Sequence, residues 1–290
     1  MRFESTPSGA ESKPEKQVDT PLEHAGRVLS RYEINMNDFR ADYPDSFEHD
    51  KLLVSEIQRN HDRSRRMDSA NEESKGFSEI SEALVIDIIN NPRSRLFGEG
   101  VSVKKCSEFD DLENKKDLVV IFKGDKEKQE ADTYLTLDIT FSDPLRKIQL
   151  MLERMNDRRI GDLKYIRRED GKAGLKDVPH AIAGFDFRTF DELKKLWHAG
   201  KYTDLEVHPA RFMILEQIRL QAAAYSEYAG ALGMADVQKK YKEIEDRISN
   251  FQSRFPRRPK DAEFEQDRTF AQLKESVNRR FSSELRTRNI

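Results

Sequence analysis

The sequence predicts an α/β protein: a small strand-containing core flanked by helices, with helical extensions at both ends. Between about residues 77 and 229, β-branched and aromatic runs alternate with apolar residues at three- and four-residue steps, the pattern of strands interleaved with helices. Outside that region apolar residues recur only at helical spacing. Charged and apolar residues each make up 36% of the 290, and mean hydropathy is −0.83, so much of the chain must lie outside any single packed core.

In chain order, residues 1–18 are rich in Ser, Pro, Gly, Glu and Lys with almost nothing to bury, and read as a disordered tail. Residues 19–75 read as N-terminal helices and a charged linker. Thr20-Pro21-Leu22-Glu23 combines a capping box with Pro at the first helical position, and Leu22, Val28, Leu29 and Tyr32 follow at helical spacing. A second helix starts near Ser46 with Leu53, Val54 and Ile57 as its stripe, and dissolves into the charge-dense stretch 60–75, a linker or a solvated helix end.

The core is expected over 76–232. The helix 78–91 is apolar almost all round, hence buried, and Asn90-Asn91-Pro92 ends it. Strands follow at 101–105, 118–123, 134–141, 163–167 and 181–185. Asp143 as N-cap and Pro144 at the first position open a helix carrying Leu145, Ile148, Leu152 and Met155. The box Thr189-Phe190-Asp191-Glu192 opens another, whose Phe190 and Trp197 read as packing residues, and a longer one runs from Pro209 to about Ala229. The extension 233–290 holds two amphipathic helices, with Val237, Tyr241, Ile244 and Ile248 on one and Phe270, Leu273, Val277, Phe281 and Leu285 on the other. Phe255-Pro256-Arg257-Arg258-Pro259 breaks them apart.

Three carboxylates are the candidates for chemistry: Glu82 on the buried helix, Asp117 at the mouth of Leu118-Val119-Val120-Ile121-Phe122, and Asp138 inside Leu135-Thr136-Leu137-Asp138-Ile139-Thr140. An acid within an apolar strand costs several kcal/mol unless it is paired or holds a cation. With the two strands side by side, Asp117 and Asp138 project toward one point, and oxygen ligands from two strands and a helix suit Mg²⁺ or Mn²⁺. Each acid also has a structural reading: Glu82 on the edge of its helix, Asp117 closing the turn after Asn114, Asp138 satisfied by backbone donors and by hydroxyls such as Thr140.

The helix-Glu, strand-Asp and acid-x-basic pattern resembles the PD-(D/E)XK nuclease superfamily, with Lys116-Asp117 as the first motif and Asp138-Ile139-Thr140 as the second. More specifically, 77–228 resembles a family of uncharacterised bacterial proteins from candidate phyla. That likeness rests on 109–119, on Leu137-Asp138-Ile139-Thr140-Phe141, on Val178-Pro179 with Gly184, and on His208-Pro209 through Ile218. The resemblance implies a restriction-endonuclease-like core sheet and a metal-dependent phosphodiesterase, or a degenerate relative that binds nucleic acid. Thr140 stands where the motif lysine belongs and supplies neither charge nor an acid-base group. Lys147, one or two turns into the next helix, and Lys123, at the end of the Asp117 strand, are the candidate replacements.

No apolar run approaches the roughly 18 residues of a membrane helix, and 1–9 contain no signal-like stretch, so a cytoplasmic protein without a membrane partner is expected. The single Cys106 leaves no intramolecular disulfide, and the six histidines form no close ligand pair in sequence, so zinc is not expected. Gly98-Glu99-Gly100 reads as a turn, and His208 as a helix cap or turn residue. The extension holds 14 basic against 10 acidic residues, a net +4, which suits a nucleic-acid backbone. The alternative is a non-catalytic scaffold that self-associates through the stripe on Val237, Tyr241, Ile244 and Ile248.

Overall fold

The computed structural model describes residues 19–65, 70–93, 97–127, 130–140, 144–254 and 266–287. The expected tail, the Asp143 cap and the Phe255-to-Pro259 breaker lie outside them. The molecule is mixed α/β, with a small mixed sheet flanked by helices. α1 (Pro21–Tyr32) starts on the expected capping box, with Thr20 and Glu23 bonded reciprocally. A 3-10 turn (Met36–Phe39) leads to α2 (Phe47–Arg65), and α3 (Ala70–Asn90) begins eight residues earlier than periodicity suggested. Helix therefore covers most of the charge-dense stretch.

β1 (Val101–Lys105), β2 (Leu118–Phe122) and β3 (Thr133–Thr140) pair antiparallel in turn, with a short α4 (Glu108–Leu112) between the first two. α5 (Pro144–Asn156) then leads to a separate hairpin of β4 (Leu163–Arg167) and β5 (Ala173–Leu175), and β6 (His180–Gly184) returns parallel to β3, giving the order β1-β2-β3-β6. β2 is buried on both faces. Leu118, Val120 and Phe122 join the main core, while Val119 and Ile121 pack with Cys106, Leu163, Ile166 and Val178 under the hairpin.

α6 (Phe187–His198) begins three residues before the box that predicted it: Asp186 is the cap and accepts from the Thr189 N–H at 2.9 Å. α7 (Tyr202–Val207) and α4 are too short to show periodicity. α8 (Ala210–Ala231) follows, and in the turn that leads into it His208 Nδ1 accepts from the Ala210 N–H at 3.2 Å. α9 (Ala235–Ser253) and α10 (Arg268–Thr287) complete the chain. Their apolar stripes lie in the same core as the sheet, α9 against α8, and α10 against α8 and α5. The stripe proposed for self-association is thus used inside the chain, with Tyr241, Ile244 and Ile248 fully buried.

Both edges of the four-stranded sheet are met by other groups, mostly side chains. At β6, Gln221 accepts from the Ile182 N–H and donates to its carbonyl, and Gln217 does the same for Gly184. Tyr241 OH accepts from the His180 N–H and donates to the His180 carbonyl. At β1, Asn90 accepts from the Val103 N–H and donates to its carbonyl, and the Ile34 N–H reaches Lys105 O. Buried peptide groups must be paired, and carboxamides imitate the missing strand.

Candidate active site

Alternation along β3 sends Leu135, Leu137 and Ile139 into the main core and turns Thr136, Asp138 and Thr140 to the other face. The β2–β3 register pairs Leu118 with Leu137, so Asp117, one residue earlier, comes opposite Asp138. Asp117 Oδ2 accepts the Ile139 N–H at 3.1 Å. α5 brings Lys147 over the pair: its ammonium lies 3.5 Å from Asp138 Oδ2 and 4.0 Å from Asp117 Oδ2. The expected convergence of the two strand acids is present, and of the two candidate lysines Lys147 is the one that meets them.

Lys123 does not. It sits at the far end of β2, about 20 Å away by strand rise, and pairs with Asp132 at 2.6 Å. Glu82 is buried as expected but already engaged. Lys105 Nζ lies 2.9 Å from its Oε2 and 3.2 Å from Asp111 Oδ2, and the Ser78 hydroxyl donates to its Oε1. Burial opposes the Lys105 charge, yet Glu82 and Asp111 hold its pKa above the ordinary value. Among the described residues, no three His, Cys, Asp or Glu side chains are grouped to hold a metal ion. Two carboxylates, not three, share the position.

Sequence reasoning missed two members of the site. The parallel register sets His180 beside Thr136, on the same face as Asp138, and its Nε2 lies 3.5 Å from Asp138 Oδ2. The Thr136 hydroxyl donates to Pro179 O, so this network assigns the hydrogen to His180 Nδ1, 3.1 Å from Thr136 Oγ1. Lys116 precedes Asp117 and is wholly buried, and among the described residues neither its Nζ nor Asp138 Oδ1 has a hydrogen-bond partner. A run such as Glu113-Asn114-Lys115-Lys116-Asp117 looks solvated, and nothing local marks one lysine of it as buried.

The electrostatics pull the two acids apart. Burial, then the Asp138 charge, raise Asp117 well above the carboxylate range, with Lys147 opposing. Burial also works against Asp138, but His180, Lys147, Lys116 and the Asp117 N–H outweigh it and hold it below that range. His180 itself is pushed down to about 3 by burial and by Lys116. It is therefore neutral near pH 7, where the lysines and the Asp117 N–H keep Asp138 ionised, and it adds its own charge only at acid pH. Burial draws Lys116 down to about 8 against the pull of Asp138. Two carboxyls with separated affinities for a proton are a pattern of acid-base sites.

A cavity of about 1290 Å³ opens elsewhere, between the β4–β5 hairpin, the start of β3 and α9, lined among others by Tyr43, Tyr134, Lys164 and Lys240; none of the site residues line it. No helix among the described residues is long and apolar enough to cross a membrane. Comparison of the chain with protein-family models, with curated proteins and with solved structures finds no match.

Proposed function

We propose that the protein is a divalent-metal-dependent phosphodiesterase of the PD-(D/E)XK nuclease kind, acting on nucleic acid. The observation that carries this reading is the convergence of Asp117 and Asp138 on the Lys147 ammonium. The order of the core supports it: a helix, three antiparallel strands, a helix and a parallel strand, with the acids at the mouth of the second strand and inside the third. Two carboxylates that already share one cation suit Mg²⁺ or Mn²⁺, hard ions commonly held by one or two carboxylates together with water and substrate phosphate. Asp117 and Asp138 would hold the ion, with Glu82 left to Lys105. Bound there, it would polarise a phosphoryl oxygen and make water a better nucleophile.

The chain's own residues do the rest. Lys147, about a third exposed, supplies at the mouth of the site the positive charge that Thr140 lacks, and it meets a phosphate oxygen as a point charge. The Asp117 N–H and the neighbouring lysines keep Asp138 ionised. α10 lies against α5, where Arg280 donates to Gln149, and so brings basic residues of the extension beside this helix.

A second reading rests on the same lysine. An ammonium that already lies between the two acids can stand in place of the metal, leaving a degenerate member that binds a nucleic-acid backbone without cutting it. One experiment separates the two. Metal-dependent cleavage of single- or double-stranded DNA or RNA, lost in Asp117→Asn, is expected of the enzyme. Mg²⁺ or Mn²⁺ at a hundredfold Kd should add about 2.7 kcal/mol of stability, and Asp138→Asn should abolish most of that gain. No metal response and no cleavage would defeat the enzyme reading, and nucleic-acid binding by the same protein would favour the degenerate one.

A further inference from the structure

α1 meets α6 through stacked rings. His24, half-buried on α1, lies flat on the indole of Trp197, with ring centroids 4.3 Å apart and planes 19° from parallel, and the His198 ring is centred 6.2 Å from that of His24. Trp197 is 0% exposed and fixed in place. Its Nε1–H donates to Asp87 Oδ2 of α3 at 2.9 Å, and the Tyr202 hydroxyl of α7 donates to the same oxygen at 2.6 Å. Four helices thus join at one indole. Among the described residues, His198 Nδ1 is enclosed without a hydrogen-bond partner, so an N–H placed there would have no acceptor. Of the twelve residues of α1, Ala25, Val28 and Leu29 are buried, which makes the ring contact a sizeable share of what docks this helix.

The contact suits neutral imidazoles. Two such rings do not repel while neutral and do once both are charged. Around His24, Arg27 on its own helix and His198 on α6 oppose a proton, while Asp87 on α3 and Asp19, itself paired with Arg27, attract one; Tyr202 of α7 stays uncharged beside Asp87. The indole face attracts a cation, and burial, the largest influence on the ring, opposes one; the balance keeps His24 below its ordinary value. Docking of α1 therefore has its full strength above about pH 6.5 and weakens as pH falls, because the solvated ring of an undocked helix takes up a proton more readily than the stacked one.

We propose that His24 is an acid-sensitive latch: with its imidazole neutral, α1 lies closed over α3 and Trp197, and protonation of the ring shifts α1 toward an undocked state while the sheet stays folded. The undocked state uncovers the indole and the part of α3 that α1 packs against, so the latch couples pH to the exposure of an apolar surface. It depends on neither a metal ion nor phosphodiester chemistry.

Trp197 is the sole tryptophan, so its emission reads the contact directly. Between pH 7 and pH 5 the emission maximum of the full chain should move to longer wavelength. Hydrogen exchange, corrected for its intrinsic pH dependence, should show α1 losing up to about tenfold of its protection per pH unit, with β2 exchanging far more slowly than α1 throughout. His24→Phe keeps an aromatic ring on the indole but has no proton to take up, and in it both changes should vanish. Unchanged emission and α1 protection in the wild type would overturn the proposal, as would the same changes in His24→Phe. Loss of protection by α1 and β2 in step would also overturn it, since acid would then be opening the whole molecule and not one helix. Should His24→Phe fail to fold, His24→Gln, which has neither ring nor titrating group, should show equal α1 protection at the two pH values; an acid-induced loss of the wild-type size in that variant would overturn the latch.

Discussion

His180 enters the interior as a neutral imidazole, with a pKa of about 3 against about 6.5 in an unfolded chain. Between those values the unfolded chain binds a proton that the folded one does not, so this group's contribution to stability is full above about pH 6.5 and is lost as pH falls. The slope is about 1.4 kcal/mol per pH unit. Urea unfolding at pH 7 and pH 5 should show it, and His180→Asn should remove it; an unchanged slope would mean that the imidazole already protonates in the fold. Asp138 acts lower: its depressed pKa stabilises above about pH 4 and is lost as pH falls through the folded value. At this scale the sequence was legible where a residue type contradicted its surroundings. Asp138 stood out because an acid in an apolar strand needs a reason. His180 did not, because its meeting with Asp138 depends on a parallel register between strands some forty residues apart. Glu82 was legible as buried, but not its partner Lys105, which reaches it from another element.

Strands and longer helices followed from periodicity because each buries a face of fixed period, and β2, β3 and α5 lie within a residue or two of where their apolar spacing put them. α6 began earlier than its sequence box suggested because Asp186, three residues before Thr189, caps the helix itself by accepting the Thr189 N–H. The glutamines of α8 carry a role that spacing alone does not declare. Gln217 and Gln221 are one turn apart, and alternate β6 residues present their outward peptide groups at a matching interval. Gln221→Leu should leave the Ile182 N–H and carbonyl buried and unpaired, at about 2–4 kcal/mol in urea unfolding, whereas the same change at an exposed helix position should cost under about 0.5 kcal/mol. A loss no larger than that surface value would mean that water replaces the carboxamide.

Across the whole molecule, the terminal helices belong to the packing. α9 and α10 both pack on α8, where Tyr225 meets Tyr241 and Tyr225 and Tyr228 both pack against Phe281. Deleting 233–290 should therefore yield a chain that exposes a broad apolar face, binds hydrophobic dye and loses its cooperative thermal transition; a sharp transition in the truncated chain would show that the remaining core closes over α8 unaided. Sequence showed these helices as amphipathic without showing what their stripes meet, since a stripe fits an intramolecular partner and a second copy equally well. The amides on the sheet edges bear on what else this protein can join. A peptide that binds by becoming an extra strand needs a row of open N–H and C=O groups, and Asn90 and Ile34 at one margin and Gln217, Gln221 and Tyr241 at the other have taken those at 103, 105, 180, 182 and 184. Strand addition is closed to any partner at these positions, so recognition must run through side chains and helix faces, as it does for a ligand gripped by its charge.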